Sequence, residues 1–416
     1  MKFDKVVLIT NIFPYNTGEE FLENEINYIV KNTNKLIILP ISSAEKYENR
    51  LLLSERNNIE VININFKRSK FAKLLSFFHP SMYSMLCFSE YVKIIKKNKC
   101  NPKCFLRAMS FMSDVSWIFK KANVLLEKYL FKNDERVLFY SYWMSIEAGI
   151  AVKLKELYGG RLVSRVHGSD LYYERHVPAY LPFRQYLFEN CDVVCPISNI
   201  GKKYLIDKNP KYAAKIHTYR LGTNDYGIQH CDDTSVFNIV SCSNMIPLKR
   251  IEYIVQALAK INKKINWIHY GDGFLRDKIE KMAKNLLPSN ISWNFAGQKK
   301  HEDLMKLYSK SYYHLFINVS TSEGIPVSIM EAMSFGIPVL ATDVGGTSEI
   351  VQSGYNGFLL PSEITFERLS EYIVSVIDMK ELDYVCMRQN ARETWCKYYN
   401  ADDNYKLFWR FMQDGL

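Results

Sequence analysis

Glu323 and Glu331 have seven residues between them, in a segment where the sequence predicts the start of a helix. Pro326 suits the first turn of a helix, because its missing N–H would have no partner there in any case. The N–H groups near Ile325 and Val327 would then stand at the positive end of the helix dipole and favour an anion. Glu331 lies more than one turn further on and offers a carboxylate that accepts two hydroxyl hydrogens, as a ribose diol presents. The alternative is that Glu323 caps the helix and Glu331 is a solvated residue.

Other residues able to do chemistry follow predicted strands. Lys249 and Arg250 come after the strand predicted over 237–241, and the alternative for both is a solvated loop. His167 ends another predicted strand, which is where ligands bind in open α/β sheets, although a lone histidine is also often a satisfied core residue. Gly18 opens the first predicted helix, so backbone N–H groups there can approach a phosphate or an acceptor. A plain turn is the alternative for Gly18.

Short apolar runs alternate with amphipathic helical patterns, which predicts βαβ units and parallel sheets. A polar stretch over 229–235 separates two such series and is the best linker. We therefore predict an α/β protein with two Rossmann-like, doubly wound domains facing a central cleft. The predicted domains are 1–225 and 226–395, and 396–416 is predicted to form a helix that packs back on the first domain. Strands are predicted over 6–9, 36–40, 137–141, 162–166, 193–198, 237–241, 267–271, 291–297, 314–318 and 338–341.

The composition limits the class of protein. Of 416 residues, 48% are hydrophobic and 14% aromatic, so a large core can form and global disorder is excluded. No run approaches the ~18 apolar residues that span a bilayer, and the first apolar run is too short for a signal peptide. The nine cysteines are scattered, and no pair has a common zinc or redox spacing. We expect reduced thiols, a cytoplasmic protein and no metal.

Positive charge is concentrated in one aromatic-rich segment with helical periodicity, 66–132. It holds 14 basic and three acidic residues, a net charge of +11, whereas the whole chain carries +10. Such a segment favours an anionic membrane surface, and a solvated helical face is the alternative. We expect Tyr91, Ile94 and Ile95 to enter the headgroup boundary while neighbouring lysines meet lipid phosphates. These lysines are Lys93, Lys96, Lys97 and Lys99. A nucleic-acid-binding protein is the less favoured reading, since no recognised nucleic-acid module is present.

The glutamate pair, followed by the glycine- and proline-containing run 336–346 and by Glu349, strongly resembles the retaining, nucleotide-sugar-dependent glycosyltransferases of the GT-B fold, family 4 (group 1). The resemblance is most specific over about 237–365. It implies that Glu323 lies by the donor sugar and that Glu331 holds the ribose hydroxyls. The donor-binding segment implied in this way continues from Glu323 through Gly324, Ile325, Pro326 and Val327.

The resemblance also implies roles for the remaining residues. Lys249 would grip the donor diphosphate, and a diphosphate requires cationic donors. Ser243 and Asn244 stand where the family usually has an arginine, so Arg250 is the nearest second cation. His167 would lie beside the anomeric carbon of the donor. Gly18 is the one glycine left of the family's usual pair, in a loop that opens the first helix.

The function implied by these residues is transfer of a sugar, with retention, from a nucleoside diphosphate sugar such as a UDP-sugar to an acceptor hydroxyl. Lys249 and the helix start would stabilise the leaving diphosphate, so we expect no metal or other cofactor. We expect the acceptor to be a lipid-linked intermediate of a surface polysaccharide, and the enzyme to sit peripherally on the inner face of the membrane. The alternatives are a transferase or synthase of the same fold with a soluble acceptor, a catalytically inactive sugar-binding protein, or the nucleic-acid-binding protein.

Overall fold

The computed structural model describes residues 2–15, 19, 21–42, 58–65, 84–97, 100–129, 135–229 and 236–414. The chain divides into two compact units. Unit 1 comprises Met1–Tyr219 together with Tyr405–Leu416, and unit 2 comprises Arg220–Asn404. The division therefore falls six residues before the boundary predicted at 225, and the chain returns to unit 1 at Tyr405 rather than at 396. Gly18 lies outside the described residues.

Unit 1 is built on a parallel sheet of six described strands in the order β3-β2-β1-β4-β5-β6. The apolar runs that predicted the strands are buried, and Val6 to Ile9 are fully shielded from solvent. The order reverses direction between β1 and β4, which makes their carboxyl ends the switch point of a doubly wound sheet. The strands are β1 Phe3–Thr10, β2 Thr33–Pro40, β3 Ile59–Val61, β4 Val137–Ser141, β5 Arg161–Val166 and β6 Val193–Pro196.

Helices connect these strands, because each parallel pairing needs a crossover connection. The described helices are α1 Phe21–Lys31, α2 Met85–Lys97, α3 Pro102–Leu126, α4 Ile146–Tyr158, α5 Gly168–Leu171, α6 Arg184–Asn190 and α7 Asn199–Lys208. The basic segment is thus helical over its described part, in α2 and α3. In α2, Ile94 is fully buried and Tyr91 packs against the core. Our expectation that these two side chains enter a membrane is therefore wrong, because the core covers that face of α2. Lys99 lies outside the described residues.

The last helix, α14 (Ala401–Asp414), carries the returning residues of unit 1. Trp409 meets the ring of Phe3 edge-on, with centroids 6.4 Å apart. The guanidinium of Arg165 stacks over Phe408 at 4.3 Å from the ring centroid, and its Nη2 donates to Glu25 at 3.3 Å. A buried ion pair on β5 and α1 is thus covered by an aromatic face of α14.

Unit 2 repeats the same topology. Its described strands form a parallel sheet in the order β12-β11-β10-β7-β8-β9, so the switch point lies between β7 and β10. The strands are β7 Phe237–Cys242, β8 Ile265–Tyr270, β9 Ile291–Gly297, β10 Leu315–Asn318, β11 Val339–Thr342 and β12 Gly357–Leu360. The helices are α8 Ile251–Leu258, α9 Arg276–Leu286, α10 His301–Lys310, α11 Val327–Ser334, α12 Phe366–Ile377 and α13 Glu381–Tyr398. The predicted class of two α/β, doubly wound domains is confirmed.

Every predicted strand is present in one of the two sheets, whereas β3 and β12 were not predicted. Across the described ranges, none of the helices combines the length and the apolar character that crossing a bilayer would require.

Candidate functional site

The predicted donor residues meet at the switch point of unit 2. Lys249 ends the loop that follows β7, and Glu323 lies in the loop that follows β10. The Nζ of Lys249 donates to Glu323 Oε1 at 2.6 Å, and both side chains are mostly buried. Asn318, the last residue of β10, also donates from its amide to Glu323 Oε1 at 3.4 Å. A cation and a carboxylate thus face each other where doubly wound sheets bind ligands.

Arg250 fastens the same two loops together. Its backbone turns into the left-handed region, with φ +48°, and its side chain is 7% exposed. The guanidinium donates from Nε to Val319 O at 2.6 Å and from Nη2 to Ser320 O at 3.3 Å. A backbone bond from Thr321 N to Leu248 O at 2.8 Å completes the connection. The geometry therefore gives Arg250 a structural role, whereas Lys249 faces the carboxylate.

Glycines hold the Glu323 loop from the other side. Gly346 N donates to Gly324 O at 2.7 Å, so the loop after β11 lies against the loop after β10. Gly345 has φ +59°, and a Cβ built there would stand 1.9 Å from Glu323 O. This close approach explains the paired glycines of the sequence, because a side chain at Gly345 would displace the backbone that carries Glu323.

Glu331 lies within α11, which begins at Val327 directly after Pro326. Ile329, Met330 and Met333 are fully buried, as the predicted helix requires. Glu331 is 7% exposed and its Oε1 lies 2.9 Å from Nε2 of His301, the first residue of α10. A buried carboxylate held by a histidine is not the solvated residue of the alternative reading. The sequence pattern gave no signal for His301.

His167 occupies an aromatic enclosure in unit 1. Its ring centroid lies 4.5 Å from that of Trp143 and 4.7 Å from that of Tyr142, and Phe21 stacks at 6.2 Å. The histidine is 5% exposed, and neither ring nitrogen has a hydrogen-bond partner in the described structure. Burial, assisted by the nearby Arg165 guanidinium, lowers the pKa of His167 to about 3. The imidazole is therefore neutral near pH 7, with one N–H and one lone pair to offer.

Glu19 organises the loop after β1, and the sequence analysis missed it. Its carboxylate accepts backbone N–H groups from Asn11 at 2.9 Å, Ile12 at 2.9 Å and Phe13 at 2.8 Å. It also accepts the indole N–H of Trp143 at 2.6 Å, which ties the loops after β1 and β4 together. The backbone N–H groups of this loop thus bind a carboxylate of the protein itself, and this contact also fixes one wall of the His167 enclosure.

Asp170 positions the turn that follows His167. One carboxylate oxygen accepts His167 N at 2.7 Å and the other accepts Met144 N at 2.6 Å. Burial raises the pKa of Asp170 to about 6, with Arg184 acting against the rise. Burial likewise raises the pKa of Glu147, at the start of α4, to about 7. Asp170 therefore caps the turn that carries the neutral histidine.

The structure thus brings Lys249, Arg250, Glu323, Glu331 and the segment 324–327 together in unit 2, and it places His167 in unit 1. Over the part of the chain that the structure describes, no group of three or more His, Cys, Asp or Glu residues is arranged to hold a metal ion. The cysteines in that part are free thiols.

Comparison with known proteins identifies the class. Residues 233–394 match the family described as glycosyl transferases group 1. The match covers Lys249, Glu323, Glu331 and the glycines that support them. This part of the chain thus resembles the group 1 glycosyltransferases, and the architecture of the chain is the two-domain α/β GT-B fold.

Individual relatives are distant. The chain is 24% identical, over 251 residues, to the UDP-N-acetylglucosamine–peptide N-acetylglucosaminyltransferase GtfA subunit of Streptococcus agalactiae, covering 56% of this chain and 46% of that protein. It is 28% identical, over 306 residues, to an uncharacterized glycosyltransferase, MJ1178, of Methanocaldococcus jannaschii, covering 73% and 81%. The crystal structure of Anabaena Alr3699/HepE in complex with UDP superposes with a TM-score of 0.67 at 16% identity, covering 99% and 100%. The chain spans about half the length of the streptococcal relative.

Proposed function

We propose that this protein transfers a sugar from a UDP-sugar to a hydroxyl group of a lipid-linked surface-polysaccharide intermediate, with retention of the anomeric configuration and without a metal. The observation that carries the proposal is the Lys249–Glu323 contact at the switch point of unit 2, directly before the start of α11. The choice of UDP is supported by the names of two similar proteins. The streptococcal relative is named as a UDP-N-acetylglucosamine transferase, and the Anabaena structure contains UDP.

The donor diphosphate would replace Glu323 as the partner of Lys249. An ammonium group is a compact charge that suits phosphate oxygens, and the first N–H groups of α11 offer further donors with a favourable dipole. Glu331 would hold the ribose hydroxyls, with His301 keeping its carboxylate in place. Both contributions need residues of unit 2 alone, so donor binding should survive changes in unit 1.

Retention follows from a front-face substitution. The bond between the anomeric carbon and the leaving phosphate oxygen breaks, and the acceptor oxygen forms its bond on the same face of the sugar. The acceptor proton passes to the leaving phosphate, so no separate base is required. Charge accumulates on the diphosphate as the bond breaks, and Lys249 with the helix start of α11 stabilises that charge in place of a divalent metal. The carboxylate of Glu323, released from Lys249, would then face the positively charged sugar ring.

A membrane-bound acceptor is supported by the outer face of α3. Leu106, Trp117 and Val124 are 50%, 56% and 70% exposed and recur at spacings that put them on one side of the helix. Exposed lysines flank them, Lys120 and Lys121 among them. An apolar stripe flanked by lysines is typical of helices that lie in the headgroup region of an anionic membrane. This stripe takes the place of the inward-facing residues of α2 in our membrane proposal.

Calorimetric titration with UDP tests the donor assignment. Glu331→Ala should weaken UDP binding by about 10- to 100-fold, because it removes a charged hydrogen bond to the ribose. Glu371→Ala, which removes an exposed carboxylate on α12, is the matched control and should leave the affinity unchanged. Equal UDP affinity in the wild type and in Glu331→Ala would overturn the assignment.

Product analysis tests the reaction itself. The anomeric configuration of the product, read by NMR from UDP-sugar turnover in excess chelator, should match that of the donor. Loss of turnover in chelator with recovery on adding Mg²⁺ would overturn the metal-free part, and an inverted product would overturn the front-face part.

A further inference from the structure

A cavity of about 560 Å³ lies within unit 1, and none of the roles assigned above uses it. Three segments line it: the second half of α2, the stretch 173–185 that follows the His167 turn, and the turn 208–212 that follows α7. Its polar groups come mainly from tyrosine, lysine and arginine side chains. The cavity therefore has the size and the lining of a site for a small polar molecule.

Five cationic side chains line the cavity: Lys93, Lys97, Arg184, Lys208 and Lys211. The two acidic residues in the lining already have partners. Glu90 accepts Tyr180 OH at 2.7 Å and Phe183 N at 3.0 Å, with Lys93 at 3.5 Å. Glu174 accepts Tyr204 OH at 2.6 Å, with Lys208 at 3.5 Å. The lining thus keeps a positive excess that favours an anion.

Arg184 is the most constrained of these cations. It is 5% exposed, and its Nη1 donates to Met144 O at 2.7 Å. Nε and Nη2 make no hydrogen bond of good geometry in the described structure, although the Tyr173 hydroxyl lies close enough for Arg184 to lower its pKa against the effect of burial, partly through a hydrogen bond. The nearby Asp170 carboxylate offsets part of the Arg184 charge, and the free donors on Nε and Nη2 can still bind an anion in the cavity.

The cavity is connected to His167 through hydrogen bonds. Arg184 donates to the carbonyl of Met144, the amide of Met144 donates to Asp170, and Asp170 accepts the amide of His167. A ligand that contacts Arg184 is therefore linked to the turn that carries the histidine through Met144 and Asp170. This position suits a molecule on the acceptor side of the reaction, whereas the donor residues lie in unit 2.

We propose that this cavity binds a phosphorylated saccharide, with the cations on the phosphate and the tyrosine rings against the sugar, and that it forms part of the acceptor site. The acceptor would therefore carry a phosphate group close to the sugar that receives the transfer. Lysines suit phosphate as point charges, and aromatic rings provide apolar area for the faces of a sugar. The acceptor role rests on the proposed function, whereas binding of the phosphate does not.

Titration with a hexose 6-phosphate, against the unphosphorylated hexose, tests the site. The wild type should bind the phosphate ester at least tenfold more tightly, and added salt should weaken the binding. Lys208→Glu combined with Lys211→Glu should weaken it about tenfold or more, and because both side chains are exposed the fold should be retained. Lys202→Glu combined with Lys203→Glu changes the same charge on α7 outside the cavity lining and is the matched control.

The outcomes separate this site from the donor site. Unchanged binding in the cavity variant, or equal loss in the control, would overturn the proposal, as would binding of phosphatidylglycerol vesicles without binding of the hexose phosphate. UDP affinity should be the same in all variants. Sugar transfer that neither responds to the hexose phosphate nor changes in the cavity variant would remove the acceptor role and leave the proposed function standing. If the protein bound the hexose phosphate but not UDP, the cavity would remain a binding site and the proposed function would be overturned.

Discussion

Two buried histidines of this protein have opposite hydrogen-bond environments. His269 is fully buried, and its ring nitrogens lie 2.8 Å from Ser241 Oγ and 3.1 Å from Ser243 O. His167 is nearly as buried, but both of its ring nitrogens lack partners in the described structure. Burial lowers the pKa of both, to about 4 for His269 and about 3 for His167. His269 therefore has the environment of a core residue. His167 has unsatisfied ring nitrogens, as expected of a residue that binds a ligand.

Replacing His167 with phenylalanine should therefore separate stability from activity. The ring fits among Phe21, Tyr142 and Trp143 and removes two unsatisfied polar atoms, so the free energy of unfolding should stay equal or rise by about 1 kcal/mol. Turnover should fall at least tenfold, which corresponds to about 1.4 kcal/mol of lost transition-state stabilisation. Denaturant unfolding and initial rates measure the two effects.

The same substitution at His269 is the control. His269→Phe should lower the free energy of unfolding by about 1–3 kcal/mol, because the carbonyl of Ser243 loses its partner. If His167→Phe destabilises the protein as much as His269→Phe and leaves turnover unchanged, His167 is a core residue and the functional assignment is wrong.

Lys249 and Arg250 are adjacent cations with different predicted roles. Lys249→Ala should lower turnover by about 100-fold or more, because the proposed mechanism then lacks the cation that stabilises the leaving diphosphate, while the melting temperature should change little. Arg250→Ala should instead lower the free energy of unfolding by about 2–3 kcal/mol, because the carbonyls of Val319 and Ser320 lose a buried charged donor. Thermal melts and rates at saturating donor would show the contrast. A stable Arg250→Ala protein without activity, beside an active Lys249→Ala protein, would reverse the assignment.

The sequence identified Lys249 and Arg250 by their position after a predicted strand and by the resemblance to a known family, which implies their roles. It missed His301, Glu19 and Trp143, which are partners rather than primary groups. Their contacts join positions far apart in the chain, such as Glu19 with Trp143 and His301 with Glu331. No local pattern announces such pairings, because they depend on how the loops of neighbouring strands fold over the sheet.

The sequence predicted strands correctly where both faces of the strand are buried. Central strands such as β1 and β4 are apolar runs with both faces covered, and short runs of this kind are typical of buried strands. The edge strands β3 and β12 were missed because they are short and not fully buried. They are three and four residues long, and most of their residues are only partly buried. A short, half-covered edge strand carries too few apolar residues to stand out from a loop.

The glycine loop after β11 offers a test of how elements position the site. In Gly345→Ala the new Cβ would meet Glu323 O. We expect this contact to lower the free energy of unfolding by roughly 1–3 kcal/mol, in addition to the cost of placing alanine in the left-handed region. Donor binding should also weaken. Gly354→Ala is the matched control. Its φ is +76°, yet nothing lies within 4 Å of the new Cβ, so it carries only the backbone cost of about 1 kcal/mol. Melting curves and UDP titrations compare the two, and equal effects would show that the close approach does not support the site.

At the scale of the whole molecule, the two units share a sheet topology and a type of contact between loops. Both sheets have the doubly wound order, and in both a side-chain contact bridges the loops at the switch point. In unit 1 the contact is Trp143 with Glu19, and in unit 2 it is Lys249 with Glu323. The first consists of a neutral donor on a carboxylate that backbone amides already hold, so it suits a fixed wall. The second is an ion pair that a diphosphate can exchange, so it suits a binding site.

The charge distribution of the molecule leads to the last prediction. In the proposed function the donor contacts residues of unit 2 alone, whereas the basic helices belong to unit 1, so membrane attachment and donor binding should be separable. Trp117 is 56% exposed on α3 beside Lys120 and Lys121, and an indole there would enter the headgroup boundary of an anionic bilayer. Trp117→Ala should weaken binding to phosphatidylglycerol vesicles in a sedimentation assay and leave UDP affinity unchanged. Lys120→Glu with Lys121→Glu should abolish vesicle binding.

Control variants distinguish binding through the α3 stripe from non-specific binding to membranes. Phe274→Ala removes an aromatic side chain that is 75% exposed in unit 2, so it should leave vesicle binding at the wild-type level. Lys202→Glu with Lys203→Glu changes the same charge on α7 and should have a much smaller effect than the α3 pair. Binding of the wild type should fade as salt shortens the Debye length to about 8 Å at physiological ionic strength. Equal binding to neutral vesicles, or equal losses in both lysine pairs, would mean that the α3 stripe does not attach the protein to a membrane, because the attraction would then depend neither on lipid charge nor on the position of the lysines.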